Sequence, residues 1–233
     1  MKSSLIQLES RGYLTDEAFE KYKHYDNIDK LIYSDSAVER TAGVRLISLK
    51  HDIRNIESLL SLLKSEKRLY TKLEICECIT KYGADAVPYL IPLLGRIGNN
   101  QHKVAAAVDL NKKSYPLPRD IAARILVRIG VPVLLFIDTP SFSIDETALP
   151  ELIDVIGHIT FNYRDFRCEK YLLRLYREYA DNGLVTWKLI RAFQSFNSEG
   201  VKGMLQQIID DSGDSIPGRE ALRSMKRIEE RAV

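Results

Sequence analysis

Apolar residues recur along this chain at the three- and four-residue spacing of one buried helical face, broken by short turn signals. The stretch from Lys72 to Leu94 shows the unit most clearly. Ile75, Cys78, Ile79 and Tyr82 form one stripe, and Gly83 ends that helix where a left-handed residue is usually needed. Val87, Leu90, Ile91, Leu93 and Leu94 then form a second apolar helix. A pair of this kind cannot bury its apolar face alone, so the pattern calls for neighbouring pairs.

Such pairs are present. After the helix-start signal Ser34-Asp35-Ser36, Val38, Ala42, Leu46 and Leu49 make one stripe. Ile53, Ile56, Leu59, Leu60 and Leu63 make the stripe of its partner. A shift of about 31 residues sets Lys64-Ser65-Glu66 on Tyr33-Ser34-Asp35, and Leu69, Leu73 and Cys76 continue the stripe. Aligning Val87 with Val201 places Ile75 on Leu189, Cys78 on Ala192, Ile79 on Phe193, Leu90 on Met204 and Leu94 on Ile208. The turn Tyr82-Gly83 then meets Phe196-Asn197, and Asn is the next-best residue for a left-handed turn.

Two further copies fall between. Ala122, Ile125, Leu126, Ile129 and Gly130 open one, whose second helix is short and runs from Val131-Pro132 through Ile137. Leu152, Val155, Ile156 and Ile159 open the other, with its second helix predicted from Arg164 to Tyr179. Residues 1–33 read as N-terminal cap helices, one starting at Thr15 with Asp16 and Glu17 in its first turn. Residues 215–233 read as a C-terminal capping helix, from Arg219 to Arg231, following Pro217-Gly218.

The segments ERTAGVRLISL, YGADAVPYLIPLL, RDIAARILVRIGVPVLL and WKLIRAFQSFNSEGVKGMLQQII resemble the HEAT-repeat family, in particular the short HEAT-like repeats of phycobilisome lyases. The resemblance implies an all-α fold: an α-α superhelix, a right-handed solenoid of about five to six HEAT-like helical pairs. It implies a single domain over residues 1–233 that acts as a binding scaffold, with second helices lining the concave surface. The Trp-Leu-Gly-Tyr pattern of the rival tetratricopeptide repeats is missing, Trp187 being the single tryptophan.

Two segments depart from the repeat. The insert at 98–118 holds an apolar run from Val104 to Leu110, the polar Asn111-Lys112-Lys113-Ser114, and the turn Pro116-Leu117-Pro118. Inserts in repeat arrays gather on one face, often the binding face; the other reading is a cover over a step between offset repeats. The second departure, Asp138 to Pro150, has the composition of a surface loop tucked down by Phe142 and Ile144.

Charge narrows the partner only locally. With 34 basic and 32 acidic residues the net charge is +2, too mild to imply a nucleic-acid or membrane partner for the whole chain. On the helix predicted after Asn162, Cys168, Leu172, Leu175 and Tyr179 share the core arc. Arg167, Lys170, Arg174 and Arg177 lie nearly opposite, with Tyr163 among them and Tyr171 at the edge. Such a stripe with aromatic neighbours suits phosphates or stacked bases, or an acidic peptide. The alternative is a solvated face balanced by Glu169 and Glu178. Arg119, Arg124 and Arg128, with Lys112 and Lys113, extend the basic surface if the fold brings them together.

Chemistry-bearing motifs are sparse. The four histidines have no metal-ligand spacing, and Cys76 and Cys78 point about 200° apart around one helix. No phosphate-binding loop, dinucleotide fingerprint or nucleophile elbow occurs. Trp187, Phe193 and Phe196 have the spacing of core residues. The three cysteines, without a CxxC, point to a reduced, cytoplasmic compartment. No signal-peptide run and no stretch of about 18 apolar residues is present. The bacterial alkylpurine DNA glycosylases also use HEAT-like repeats in a chain of similar length, with a basic concave groove, tryptophans and a carboxylate. No set of residues here matches that site. The expectation is a non-catalytic scaffold for a protein or peptide, with no cofactor or metal and no membrane, and nucleic-acid binding as the second reading.

Overall fold

A computed structural model describes residues 4–105 and 114–232. The described residues are helical without strands, about 70% of the structure being helix. They form α1 (Leu5–Glu9), α2 (Asp16–Phe19), α3 (Ile28–Ile32), α4 (Ala37–Lys50), α5 (Ile56–Ser65), α6 (Leu69–Lys81) and α7 (Val87–Leu90). Then come α8 (Ile121–Ile129), α9 (Val131–Ile137), α10 (Leu149–Tyr163), α11 (Glu169–Glu178), α12 (Gly183–Phe193), α13 (Glu199–Ser212) and α14 (Ile216–Ala232). The chain divides into two compact units, Met1–Tyr89 and Leu90–Val233.

In the first unit α4 packs against α3 and α6, and α6 also packs against α5. Helix starts follow local chemistry: the side chains of Thr15, Asn27 and Ser36 each accept a hydrogen bond from a backbone N–H three residues on. Leu14, Phe19, Tyr22, Leu31, Ala42 and Leu46 form a core cluster. Every fully buried aliphatic side chain of this kind stabilises the fold by roughly 1.5–3 kcal/mol. The turn before α2 is tied down by Thr41 and Thr71. The Thr41 hydroxyl donates to the Gly12 carbonyl at 2.8 Å and lies 2.9 Å from the Thr71 hydroxyl. The Tyr70 amide donates to the Arg11 carbonyl.

In the second unit alternate helices pack in succession: α8 on α10, α10 on α12, α12 on α14. Helices α9, α11 and α13 each lie against one or more members of that row. Helix α10 is buried along most of its length, as is α12. The described ends of the 98–118 insert seat on the row. Tyr115 occupies the space over Gly157, where an added Cβ would stand 2.2 Å from its hydroxyl, and His102 meets the Trp187 ring edge-on at 5.1 Å.

Several expectations need correction. Leu49, Leu69 and Leu73 are 68%, 43% and 54% exposed, so they are not part of the buried stripe. The inner face of α6 is Thr71, Ile75, Cys76, Cys78 and Ile79. The second apolar helix of the model pair breaks into α7 and a 3-10 turn at Ile91–Leu93, because Pro92 lacks the N–H that a continuing helix needs. Gly83 does adopt φ 58°, but Asn197 has no positive φ; among described non-glycine residues only His51 and Arg164 do. Arg164 therefore ends α10 in the left-handed region, and α11 starts only at Glu169. Finally, α14 begins at Ile216 and takes Pro217 and Gly218 into its first turn, where a missing N–H costs nothing. The expected helix at Val104–Leu110 falls mostly outside the described residues, and Val104 and Ala105 are not helical.

Candidate functional site

The basic stripe proposed on the helix after Asn162 is only partly assembled. Cys168, Leu172 and Leu175 are buried as the core arc requires. Lys170, Arg174 and Arg177 are exposed on α11, while Tyr171 is half-buried. Arg167 is not on that helix. It sits in the preceding turn, where its guanidinium grips both carboxylate oxygens of Asp165 at 2.9–3.1 Å. That pairing holds the Asp165 carboxyl below its usual range.

Lys170, Tyr171 and Arg174 line a groove of about 450 Å³ with Asp138 and Phe142 from the loop after α9. The Phe142 ring meets Tyr171 and Phe136 edge-on, at 6.1 Å each. Arg174 reaches Glu178 at 3.4 Å and lies over the Tyr171 ring at 5.4 Å. Both members of that ion pair are half-exposed or more, so the pair is worth little in water. Lys170 and Arg177 have no carboxylate partner among the described residues. Burial pushes the Tyr171 hydroxyl and the Cys168 thiol up to about 12. The groove thus offers neutral aromatic and thiol walls with cations at its rim and one acid, Asp138.

Arg119 lies elsewhere. It is exposed ahead of α8, and its charge acts on His102, helping burial and Lys188 to hold that imidazole down at about 4. Arg124 donates to the Pro118 carbonyl, clamping the insert's re-entry. Lys112 and Lys113 lie outside the described residues.

The densest polar cluster was not anticipated. On α12, Lys188 is fully buried and its Nζ donates to Glu151 Oε1 at 2.7 Å and Asp154 Oδ2 at 2.8 Å, both on α10. One turn on, Arg191 stacks on Trp187 at 3.9 Å and reaches Glu220 of α14 at 3.5 Å. Trp187 Nε1 donates to the same carboxylate at 3.2 Å, and Arg223 pairs with it. Burial raises the Glu151 carboxyl above its usual 4.5 despite Lys188. The signal was there in the sequence: acids three apart in PELIDVIG and cations three apart in LVTWKLIRAF interrupt otherwise apolar helices. The cluster is closed to solvent, so its chemistry is to hold α10, α12 and α14 in register.

A second cavity, of about 430 Å³, opens beside the Arg164 turn and is lined by residues of α14 and of the turn ahead of α13. Among the described residues no group of His, Cys, Asp or Glu is arranged to hold a metal ion, and no helix is long and apolar enough to cross a membrane. No family model, curated protein or solved structure matches the chain.

Proposed function

We propose that the chain is a non-catalytic HEAT-like scaffold that captures an acidic, aromatic-bearing segment of a partner protein in the groove beside α11. The carrying observation is the pairing of cations with an aromatic wall: exposed Lys170 and Arg174 in the lining, with Tyr171 against Phe142. An acidic side chain would gain charge-assisted hydrogen bonds at that rim, and an apolar one would cover the ring faces. Helix packing in the second unit, where every other helix stacks on the next, supports the repeat-array reading. Buried cysteines held as thiols, Cys78 and Cys168, suit a reducing compartment such as the cytoplasm.

The test is fluorescence anisotropy with a labelled peptide of alternating Glu and Phe, and a labelled single-stranded oligonucleotide of equal charge. Lys170→Glu with Arg174→Glu should weaken the peptide roughly tenfold or more while far-UV circular dichroism stays unchanged. Arg167→Glu should change binding little, because Asp165 already occupies that guanidinium. Unaltered binding by the double variant removes the proposal. Binding of the oligonucleotide in preference to the peptide would replace it with the nucleic-acid reading.

A further inference from the structure

The cavity at the Arg164 turn has a composition that neither packing nor the α11 groove accounts for. Arg164 lines it from the left-handed end of α10, with φ 56°. Residues other than Gly, Asn and Asp rarely settle there, and such outliers concentrate at functional sites. Arg231, near the end of α14, lines the same cavity. Its Nη2 donates to the Phe161 carbonyl at 2.7 Å and its Nη1 to that of Gln194 at 3.4 Å. These bonds close the C-terminal ends of α10 and α12 but engage only part of the five guanidinium donors.

The two arginines face each other's charge: burial first, and then Arg164, lower the Arg231 pKa. Neither has a carboxylate partner among the described residues. The one acid in the lining, Glu169, accepts a 2.5 Å hydrogen bond from Ser198. The cavity therefore carries one excess positive charge. The rest of the wall is polar along Gln194–Ser195 and Asn197–Ser198 and apolar at Phe166 and Phe196, with ring centroids 6.1 Å apart, and at Ile228.

We propose that this cavity binds a monoanionic carboxylate with an apolar body, the carboxylate between Arg164 and Arg231 and the body against Phe166, Phe196 and Ile228. A single negative charge matches the excess, and a guanidinium pair receives a planar carboxylate well. The carboxylate can belong to a free aryl-alkyl acid or to the C-terminus of a peptide ending in an apolar residue. The site is separate from the α11 groove, so the groove variant Lys170→Glu with Arg174→Glu should retain it.

The experiment titrates the full chain by calorimetry with 3-phenylpropionate, with its amide, and with a short peptide ending in Phe, as free acid and as amide. The acids should bind at least about tenfold more tightly than the amides. Arg164→Asn removes the guanidinium while keeping a residue that tolerates the left-handed turn. It should lose about tenfold or more in affinity at unchanged melting temperature. Arg231→Lys, which keeps the charge, guards against loss through misfolding and should retain measurable binding. Tighter binding of the free-acid peptide than of the small acid assigns the site to a chain terminus, and the reverse order to a small molecule. Equal binding of acids and amides, full binding by Arg164→Asn, or no binding of any acid overturns the proposal.

Discussion

Lys188→Met should destabilise the unit Leu90–Val233 by roughly 3–5 kcal/mol, the usual cost of removing one partner from a buried ion pair. Methionine fills the aliphatic stem, so the loss is electrostatic rather than a cavity effect. Glu151 and Asp154 are left facing each other, each with a carboxylate oxygen that had bonded the ammonium. The loss should depend on pH with a definite sign. Burial already holds Glu151 above its usual 4.5, and removal of Lys188 raises it further. A carboxyl whose pKa is raised on folding binds its proton more tightly in the folded state. The deficit should therefore be smallest below about 4.5 and grow as pH rises through the folded value. Adding Glu151→Gln and Asp154→Asn to Lys188→Met removes both stranded charges and should recover more than half of the loss. Urea unfolding followed by far-UV circular dichroism measures all three. A single variant within about 1 kcal/mol of the parent at pH 7 would contradict the ion-triad account.

Gly12→Ala should be nearly as damaging to the unit Met1–Tyr89, for steric reasons. Gly12 has φ 88°, and a Cβ there would stand 2.1 Å from Thr71 Oγ1 and 2.9 Å from the Thr71 amide nitrogen. The left-handed backbone costs an alanine roughly 1–2 kcal/mol, and overpacking a filled site typically adds about 1–3 kcal/mol. The insertion also displaces the Thr41–Thr71 hydroxyl contact that holds the turn to α4 and α6. The expected loss is about 2–5 kcal/mol. Combining it with Thr71→Ala should recover only part, since the amide nitrogen cannot be moved without breaking into α6. A Gly12→Ala chain as stable as the parent would show that the turn does not depend on this packing.

The helical reading and most element starts were legible because their causes are local. Ser36 and Thr15 cap the helices they precede, and the buried stripe of α4 around Ala42 and Leu46 lies where its spacing puts it. What failed was tertiary. Leu69 and Leu73 have the right period, but the neighbours of α6 lie on another face, and period alone does not say which stripe is covered. Arg164 has no sequence mark of a left-handed residue, so the spacing predicts a helix from Arg164 and sets Arg167 on a stripe it does not share. The groove was half visible: Lys170, Tyr171 and Arg174 share a helix, but Asp138 and Phe142 arrive from a loop whose course no spacing gives. The Arg164–Arg231 cavity was out of reach, because it joins residues far apart in the chain.

Two buried cysteines, Cys78 and Cys168, give the chain its own clocks. Burial pushes the Cys78 thiol to about 11 and that of Cys168 to about 12, so at neutral pH almost no thiolate is present to react. A thiol reagent can modify them only as fast as the surrounding structure opens. Cys78 on α6 times one unit, and Cys168 times the other. Cys168 also lies in the wall of the α11 groove, so a bound segment that steadies this wall should slow its modification while leaving α6 at its own pace. Occupancy can thus be read from the rate at one sulfur, with no probe introduced.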